Sequence, residues 1–223
     1  MKQCPVYDLG LMEYGRALVS QEKLHTARKN GGIPDVLLLV EHPPVITLGR
    51  HAVPGNIVTS LEILSKEGIT VFHTGRGGDV TFHGPGQLVV YPILNLNENG
   101  LTVKSYVWRL EEVMVRTLAA LGIKGERIPD WRGVFVAGKK IGALGLRISG
   151  GVSMHGLALN VNTDLKYFNY IVPCGLKGVK STSIAELKGQ DIDMRALKEI
   201  IRAKFGDIFH FSCQPGEAKD LDF

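Results

Sequence analysis

No stretch of the sequence is apolar for long enough to cross a bilayer. The longest wholly apolar run is Val36–Val40, against the roughly 20 residues a membrane-spanning helix needs. The N-terminal segment MKQCPVYDLG has no apolar core, so it does not read as a secretory signal. Cysteine is scarce: Cys4, Cys174 and Cys213 are odd in number and far apart. They form no CxxC or Cys/His spacing, which argues against a disulfide framework and a structural zinc site; a reducing, cytoplasmic setting is expected. The seven histidines show neither HxH nor HExxH spacing, so no metal is expected. Internal repeats, low-complexity tracts and Pro/Ser-rich linkers are all missing, and residues 1–223 read as one domain. No basic run is interleaved with aromatics, and the net charge of +4 is too mild to argue for nucleic acid.

What the sequence has in excess is glycine, 27 of 223 residues, about 12% against a usual roughly 7%. Twelve of them fall in two clusters, residues 75–86 and 133–156. Glycine costs backbone entropy, so such clusters mark tight turns or places where backbone must approach something closely.

The apolar pattern gives the frame. Segment 13–29 reads as a helix and Asp35–Glu41 as a strand. Ser60 caps a short helix over 61–67, closed by Gly68. Ile69–His73 and Leu88–Leu94 read as strands on either side of the first glycine cluster. Val103, Val107, Leu110, Met114, Leu118 and Leu121 recur at spacings of three and four, predicting a helix over 103–121 that Gly122 ends. Gly133–Ala137 and Lys140–Ile148 read as a hairpin turning at Gly138-Lys139, followed by a strand over His155–Asn162. A last helix over 194–205 is capped by Asp193, with Leu197, Ile200, Ile201 and Phe205 as its stripe. Strands cluster in hairpins instead of alternating with helices, which favours an α+β fold with a mixed, largely antiparallel sheet flanked by helices.

Three features carry potential chemistry. The segment Arg76-Gly77-Gly78-Asp79-Val80-Thr81-Phe82-His83-Gly84-Pro85-Gly86-Gln87 offers bare amides, an arginine and a histidine. It lacks the Gly-Lys-Ser/Thr ending of a P-loop and opens no helix, so it reads as a ligand cradle or as a pair of tight turns with a surface arginine. Cys174 lies between Pro173 and Gly175, in loop punctuation where a nucleophile would be accessible; the alternative is a buried, inert thiol. Lys140 sits in the second glycine cluster and reads either as a solvated hairpin lysine or as a functional one. His73, His83 and His155 lie near the glycine segments.

Taken together these segments resemble the lipoyl(octanoyl) transferases. The run Arg76–Pro92 carries most of the likeness. His42-Pro43-Pro44-Val45 with Thr47-Leu48-Gly49-Arg50, Lys140–Ser149 with His155–Asn162, and Pro173-Cys174-Gly175 follow the same family. Phe82 stands where Tyr is common in it. The resemblance implies the fold of the lipoate and biotin protein ligase catalytic domains and a catalytic dyad of Cys174 and Lys140. It also implies an acyl groove made by Arg76, Gly77, Gly78, Asp79, Val80, Thr81, Phe82 and His83, by Ala143, Leu144 and Gly145, and by Gly156, Leu157 and Ala158. Leu144, Leu157 and Leu159 are the expected apolar lining, and the glycines are expected to leave room for the chain.

The implied reaction moves an octanoyl (or lipoyl) group from acyl carrier protein to a lysine of the lipoyl domains of 2-oxoacid dehydrogenases and of the glycine cleavage H protein. A thioester donor is already activated, so no ATP or other cofactor is expected. The competing readings are an ATP-dependent lipoate or biotin ligase relative and a non-catalytic acyl-binding module.

Overall fold

The computed structural model describes residues 1–173 and 178–216. In chain order the elements are β1 (Lys2–Gln3), β2 (Val6–Leu11), α1 (Tyr14–Lys29), β3 (Val36–Glu41), β4 (Val45–Leu48), α2 (Leu61–Lys66), β5 (Thr70–His73) and β6 (Val80–His83). Then come β7 (Gln87–Ile93), α3 (Val103–Ala120), β8 (Glu126–Ile128), β9 (Trp131–Val136), β10 (Lys139–Ser149), β11 (Val152–Asn160), α4 (Ile184–Lys188), α5 (Met194–Phe209) and β12 (Phe211–Ser212).

The run VLLLV in β3 has no polar alternation because both faces of its sheet are covered. Leu37 and Leu39 join Leu88, Val90, Leu157 and Leu159 in a core under α3 and α5. Val36, Leu38 and Val40 join Val89, Tyr91 and Ala158 in a second core under α1. The seven-stranded sheet runs β2-β3-β7-β11-β10-β9-β8. Only β2 and β3 pair in parallel; the other neighbours are antiparallel. A three-stranded sheet, β5-β4-β6, and a parallel β1-β12 pair complete the pattern. The expected α+β, mixed and largely antiparallel arrangement is therefore present.

The helix signals translate directly. The Ser60 hydroxyl accepts from the Ile63 amide, Thr102 and Ser105 form a reciprocal cap for α3, and the Asp193 carboxylate accepts from Arg195 and Ala196. α5 runs four residues beyond its expected end and stops at His210, which takes the left-handed conformation. The β9–β10 turn sits at Ala137-Gly138, one residue earlier than expected, because positive φ at both positions matches the strand twist. The strands β1, β2, β4, β8 and β12 and the helix α4 were not anticipated. They are short or half-exposed and carry little periodicity. Among the described residues no helix is long and apolar enough to cross a membrane.

Candidate active site

Side chains alternate along a strand, and this decides what a groove between two sheets can be made of. On β6, Thr81 and His83 face the large sheet, whereas Val80 and Phe82 turn away into a separate small core with Ile46, Leu64, Ile69 and Ile171. On β11, Leu157 and Leu159 pack into the core under α3, so the slot face is left with Gly156 and Ala158. Between the sheets lies a narrow slot. Of the fourteen residues expected to bind the acyl chain, Arg76, Gly78, Asp79, Thr81, His83, Ala143, Leu144, Gly145, Gly156, Leu157 and Ala158 border it. Gly77 borders an adjoining groove instead. Val80 and Phe82 lie on the far face of β6.

Of the leucines expected as lining, Leu144 and Leu157 border the slot while packing on the core under α3 and Leu159 serves the core alone, so the rest of the floor is made of small residues. Nor do the floor glycines simply leave empty space. A Cβ on Gly156 would sit 2.0 Å from the Val90 carbonyl oxygen, and one on Gly145 would sit 2.8 Å from Arg76 Cδ. Their absent side chains let β7 and Arg76 pack against the floor.

Two departures from strand alternation turn polar side chains away from the core under α3, one into the slot and one into a pocket beside it. Register shifts between Lys140 and Gly142, where β10 has one more residue than β9. This bulge sends Ile141 into the core under α3 and turns Lys140 toward the slot side. Lys140 is 6% exposed; its ammonium lies 5.6 Å from the Phe135 ring centroid. Its backbone is held on both sides, donating to the Lys180 carbonyl and accepting from the Thr182 amide. Lys140 borders a small pocket with Thr81, Ala143, Ala158 and Pro173, and also an open groove with Val103, Trp131 and Arg132. The second departure is His155, whose φ of +56° turns it out of the alternation of Leu157 and Leu159. Its ring lies 6.4 Å from that of Tyr91 and borders the slot.

The wall opposite the floor is a cluster of rings that local sequence did not reveal: Tyr14 from α1, His42, His83 and Tyr91. Two backbone carbonyls fix the protonation of His83. Asn160 Nδ2 donates to the Thr182 carbonyl, so its Oδ1 accepts from Gln87 Nε2, which also donates to the Phe82 carbonyl. Gln87 Oε1 must then accept from His83 Nδ1, at 2.7 Å, leaving His83 Nε2 as an acceptor. By the same logic His42 Nδ1 donates to the Met12 carbonyl and its Nε2 accepts from the Tyr91 hydroxyl. Burial pushes His42 down to about 4 and both His83 and His155 down to about 3, so all three rings are neutral near pH 7.

Arg76 is buried, and its guanidinium donates to the Thr47 hydroxyl and carbonyl and to the Gly77 carbonyl. Those bonds tie the segment before β6 to Thr47 on β4 and hold the Arg76 cation at the border of the slot. Asp79 works at a distance. Its carboxylate accepts from the Val53 amide and from Asn56 Nδ2, and the Asn56 carbonyl accepts from the Val172 amide. The loop that Asp79 anchors thereby holds the chain just before Pro173.

Cys174 lies outside the described residues. Among the described residues no cluster of three or more His, Cys, Asp or Glu side chains is placed to hold a metal ion. The other two thiols, Cys4 and Cys213, are buried and unbridged beside the β1–β12 pair.

Comparison with known proteins agrees with this architecture. Residues 13–206 match the lipoyl protein ligase A/B catalytic domain. An octanoyltransferase of Solibacter usitatus is 48% identical over 97% of this chain and 97% of its own. One from Alkaliphilus metalliredigens is 46% identical over 92% of this chain and 95% of its own. The structure of a putative lipoate protein ligase of Thermoplasma acidophilum with bound lipoic acid shares the fold, with a TM-score of 0.75 at 16% identity over 97% of this chain and 89% of that one. The chain belongs to the lipoyl protein ligase A/B catalytic domain family, and within it to the octanoyltransferases.

Proposed function

We propose that the protein transfers an octanoyl group from acyl carrier protein to a lysine ε-amine on lipoyl domains, through a thioester on Cys174. The observation that carries this reading is the position of Lys140. A bulge turns a buried lysine into the small pocket that adjoins the slot at Thr81, Ala143 and Ala158, beside Pro173, the residue that precedes Cys174.

In the first step the Cys174 thiolate attacks the donor thioester carbon. The tetrahedral oxyanion collapses, the bond to the carrier's sulfur breaks, and the carrier thiol leaves with the proton that the Lys140 ammonium gives up, which leaves Lys140 neutral for the second step. Lys140 as a cation favours the thiolate. In the second step the acceptor amine attacks the Cys174 thioester, Lys140 takes the amine's proton, and the Cys174–carbonyl bond breaks. A lysine amine is mostly protonated at pH 7, and making it neutral costs roughly 4–5 kcal/mol. A base beside the thioester offsets that cost.

The chain occupies the floor between Ala143–Ala158 and Leu146–His155. Burying its methylenes at about 0.8 kcal/mol each contributes roughly 5 kcal/mol. The net charge of +4 suits acidic partners: the carrier protein as donor, and as acceptors the lipoyl domains of 2-oxoacid dehydrogenases and the glycine cleavage H protein. Free thiols at Cys4 and Cys213 suit the reducing cytoplasm. A thioester donor needs no nucleotide. Incubation with octanoyl-carrier protein and an isolated lipoyl domain is expected to octanoylate the domain without ATP. Strict dependence on ATP would make the protein a ligase instead, and absence of an octanoyl mass on Cys174 would favour a non-catalytic binding module.

A further inference from the structure

Two cysteines that the transfer chemistry does not use meet where β1 and β12 end. These strands pair in parallel, with Gln3 beside Ser212, and a further bridge sets Val6 beside Pro215. Between those two pairs Cys4 stands opposite Cys213. The backbone keeps that register: the Cys4 amide donates to the Ser212 carbonyl at 3.0 Å, and the Val6 amide donates to the Gln214 carbonyl at 2.8 Å. Side chains alternate along extended chain, and Cys4, Val6, Phe211 and Cys213 all face the core under α3 and α5. Neighbouring strands lie about 4.8 Å apart, within the roughly 4.4–6.8 Å between Cα atoms that a disulfide spans.

The surroundings make room for the sulfur atoms and set them unequal. A Cβ on Gly206 of α5 would sit 3.0 Å from the Phe211 carbonyl oxygen and 3.6 Å from Cys213 Sγ. Glycine inside a helix costs stability; here it lets the chain end and the Cys213 sulfur lie against α5. Cys4 is fully buried and Cys213 is 7% exposed. The Cys4 thiol donates a hydrogen bond to the Cys213 sulfur. That bond and the nearby Arg202 cation hold Cys213 below the usual thiol range, while the same bond and burial push Cys4 well above it. Arg202 is fixed in place by donating to the Cys213 carbonyl. One sulfur is thus the nucleophile and the other keeps its proton. Neither borders the slot or the Lys140 pocket.

We propose that Cys4 and Cys213 are a modification site, at which hydrogen peroxide closes a disulfide that joins the ends of β1 and β12. The Cys213 thiolate attacks one peroxide oxygen, the O–O bond breaks, and hydroxide leaves and takes up a proton, giving a sulfenic acid. Cys4 attacks the sulfenic sulfur, the S–O bond breaks, and the hydroxyl leaves as water with the Cys4 proton. Two electrons pass from the thiol pair to one peroxide, which ends as two waters. The bond encloses most of the 223-residue chain, the case in which a cross-link restricts the unfolded state most. It also fastens the segment that covers the edge of β2, where the Gly216 amide donates to the Val6 carbonyl. A thiol reductant reopens it.

The test treats the full chain with hydrogen peroxide, alongside Cys174→Ser, in which only the pair remains. Peptide mapping is expected to find Cys4 linked to Cys213 in both, with the intact mass of Cys174→Ser lowered by two hydrogens. The thermal midpoint of oxidised Cys174→Ser is expected to rise by about 5–10 °C and to return on reduction. In Cys4→Ala, dimedone is expected to label Cys213 at least about tenfold more than it labels Cys4 in Cys213→Ala. Recovery of the two cysteines as separate thiols or sulfinic acids overturns the proposal, as does a cross-link to Cys174 in place of the pair. A cross-link that leaves the midpoint unchanged or lowers it overturns the fastening role. If either alanine variant fails to fold, the peptide map and midpoint of Cys174→Ser decide alone.

Discussion

The two ends of the slot are built from the same kind of local irregularity and put to opposite uses. At one end, a single extra residue in β10 turns Lys140 into a pocket that also opens to the groove of Val103, Trp131 and Arg132. At the other, a single left-handed residue in β11 turns His155 into a closed wall of neutral rings. The open end suits chemistry that two protein partners must reach. The end lined by buried rings suits holding the tail through both proposed transfer steps. A regular strand would have delivered neither side chain, because alternation alone would point both positions toward the core under α3.

The comparison depends on a rigid floor shared by both ends, and the floor is where the largest effect is expected. Gly156→Ala places a Cβ 2.0 Å from the Val90 carbonyl oxygen and 2.7 Å from Pro92 Cδ. Neither can swing aside, so the variant is expected to lose about 3 kcal/mol or more, read from the urea midpoint. Gly145→Ala clashes closely only with the Arg76 side chain, at 2.8 Å from its Cδ, and is expected to lose about 1–2 kcal/mol. The reverse order would break the account of the floor.

The ring wall comes next. Gln87→Leu strands the His83 Nδ1 proton and the Asn160 Oδ1 acceptor, and about 2–4 kcal/mol of stability should go with them. Wild-type stability in that variant would show that the relay does not hold His83.

Asp79→Ala sharpens the open end. It should lower octanoyl transfer about 10–100-fold through misplacement of the chain before Pro173, with octanoic acid affinity nearly unchanged. Loss of affinity in step with rate would make Asp79 a ligand contact instead of an anchor.

The smallest effect per residue is a pH dependence. His42, His83 and His155 are held neutral down to about 3–4, whereas in the unfolded chain they bind protons below about 6.5. Between those limits the unfolded state binds more protons, so stability falls as pH falls, by roughly 1.4 kcal/mol per pH unit for each histidine. His42→Gln should flatten the slope of stability against pH between 6 and 4.5 by about one such increment. An unchanged slope would mean that the ring is not held neutral.

Much of the frame was legible in sequence, for reasons these residues make plain. α3 announces itself through six apolar residues at helical spacing, and β3 through an unbroken apolar run. The floor was legible because Ala143–Gly145 and Gly156–Ala158 fall in segments that the family resemblance places along the groove. The fate of Leu157, Leu159, Val80 and Phe82 was not, since which face of a strand meets the slot depends on the second sheet. The ring wall was hidden for the same reason. Tyr14 and His42 come from distant places, while His83 and Tyr91 lie on the successive strands β6 and β7; His83 was expected in the groove, but nothing in the sequence shows that the four rings meet. The bulge at Ile141 and the left-handed turn at His155 leave no periodic trace, yet they decide which polar groups enter the slot. The expected nucleophile, Cys174, rests on its motif and on the pocket shared by Lys140 and Pro173.

The central claim, that Lys140 handles the proton of the acceptor amine at a Cys174 thioester, is tested most directly by single turnover. Wild-type protein and Lys140→Ala are first loaded with octanoyl from excess thioester and stripped of donor. Each is then mixed with a lipoyl domain and quenched for intact-mass measurement. Transfer from the loaded Lys140→Ala protein is expected to be at least about 100-fold slower, and to recover as pH rises toward the range of the acceptor lysine itself. A rate near that of wild type at pH 7 would contradict the account.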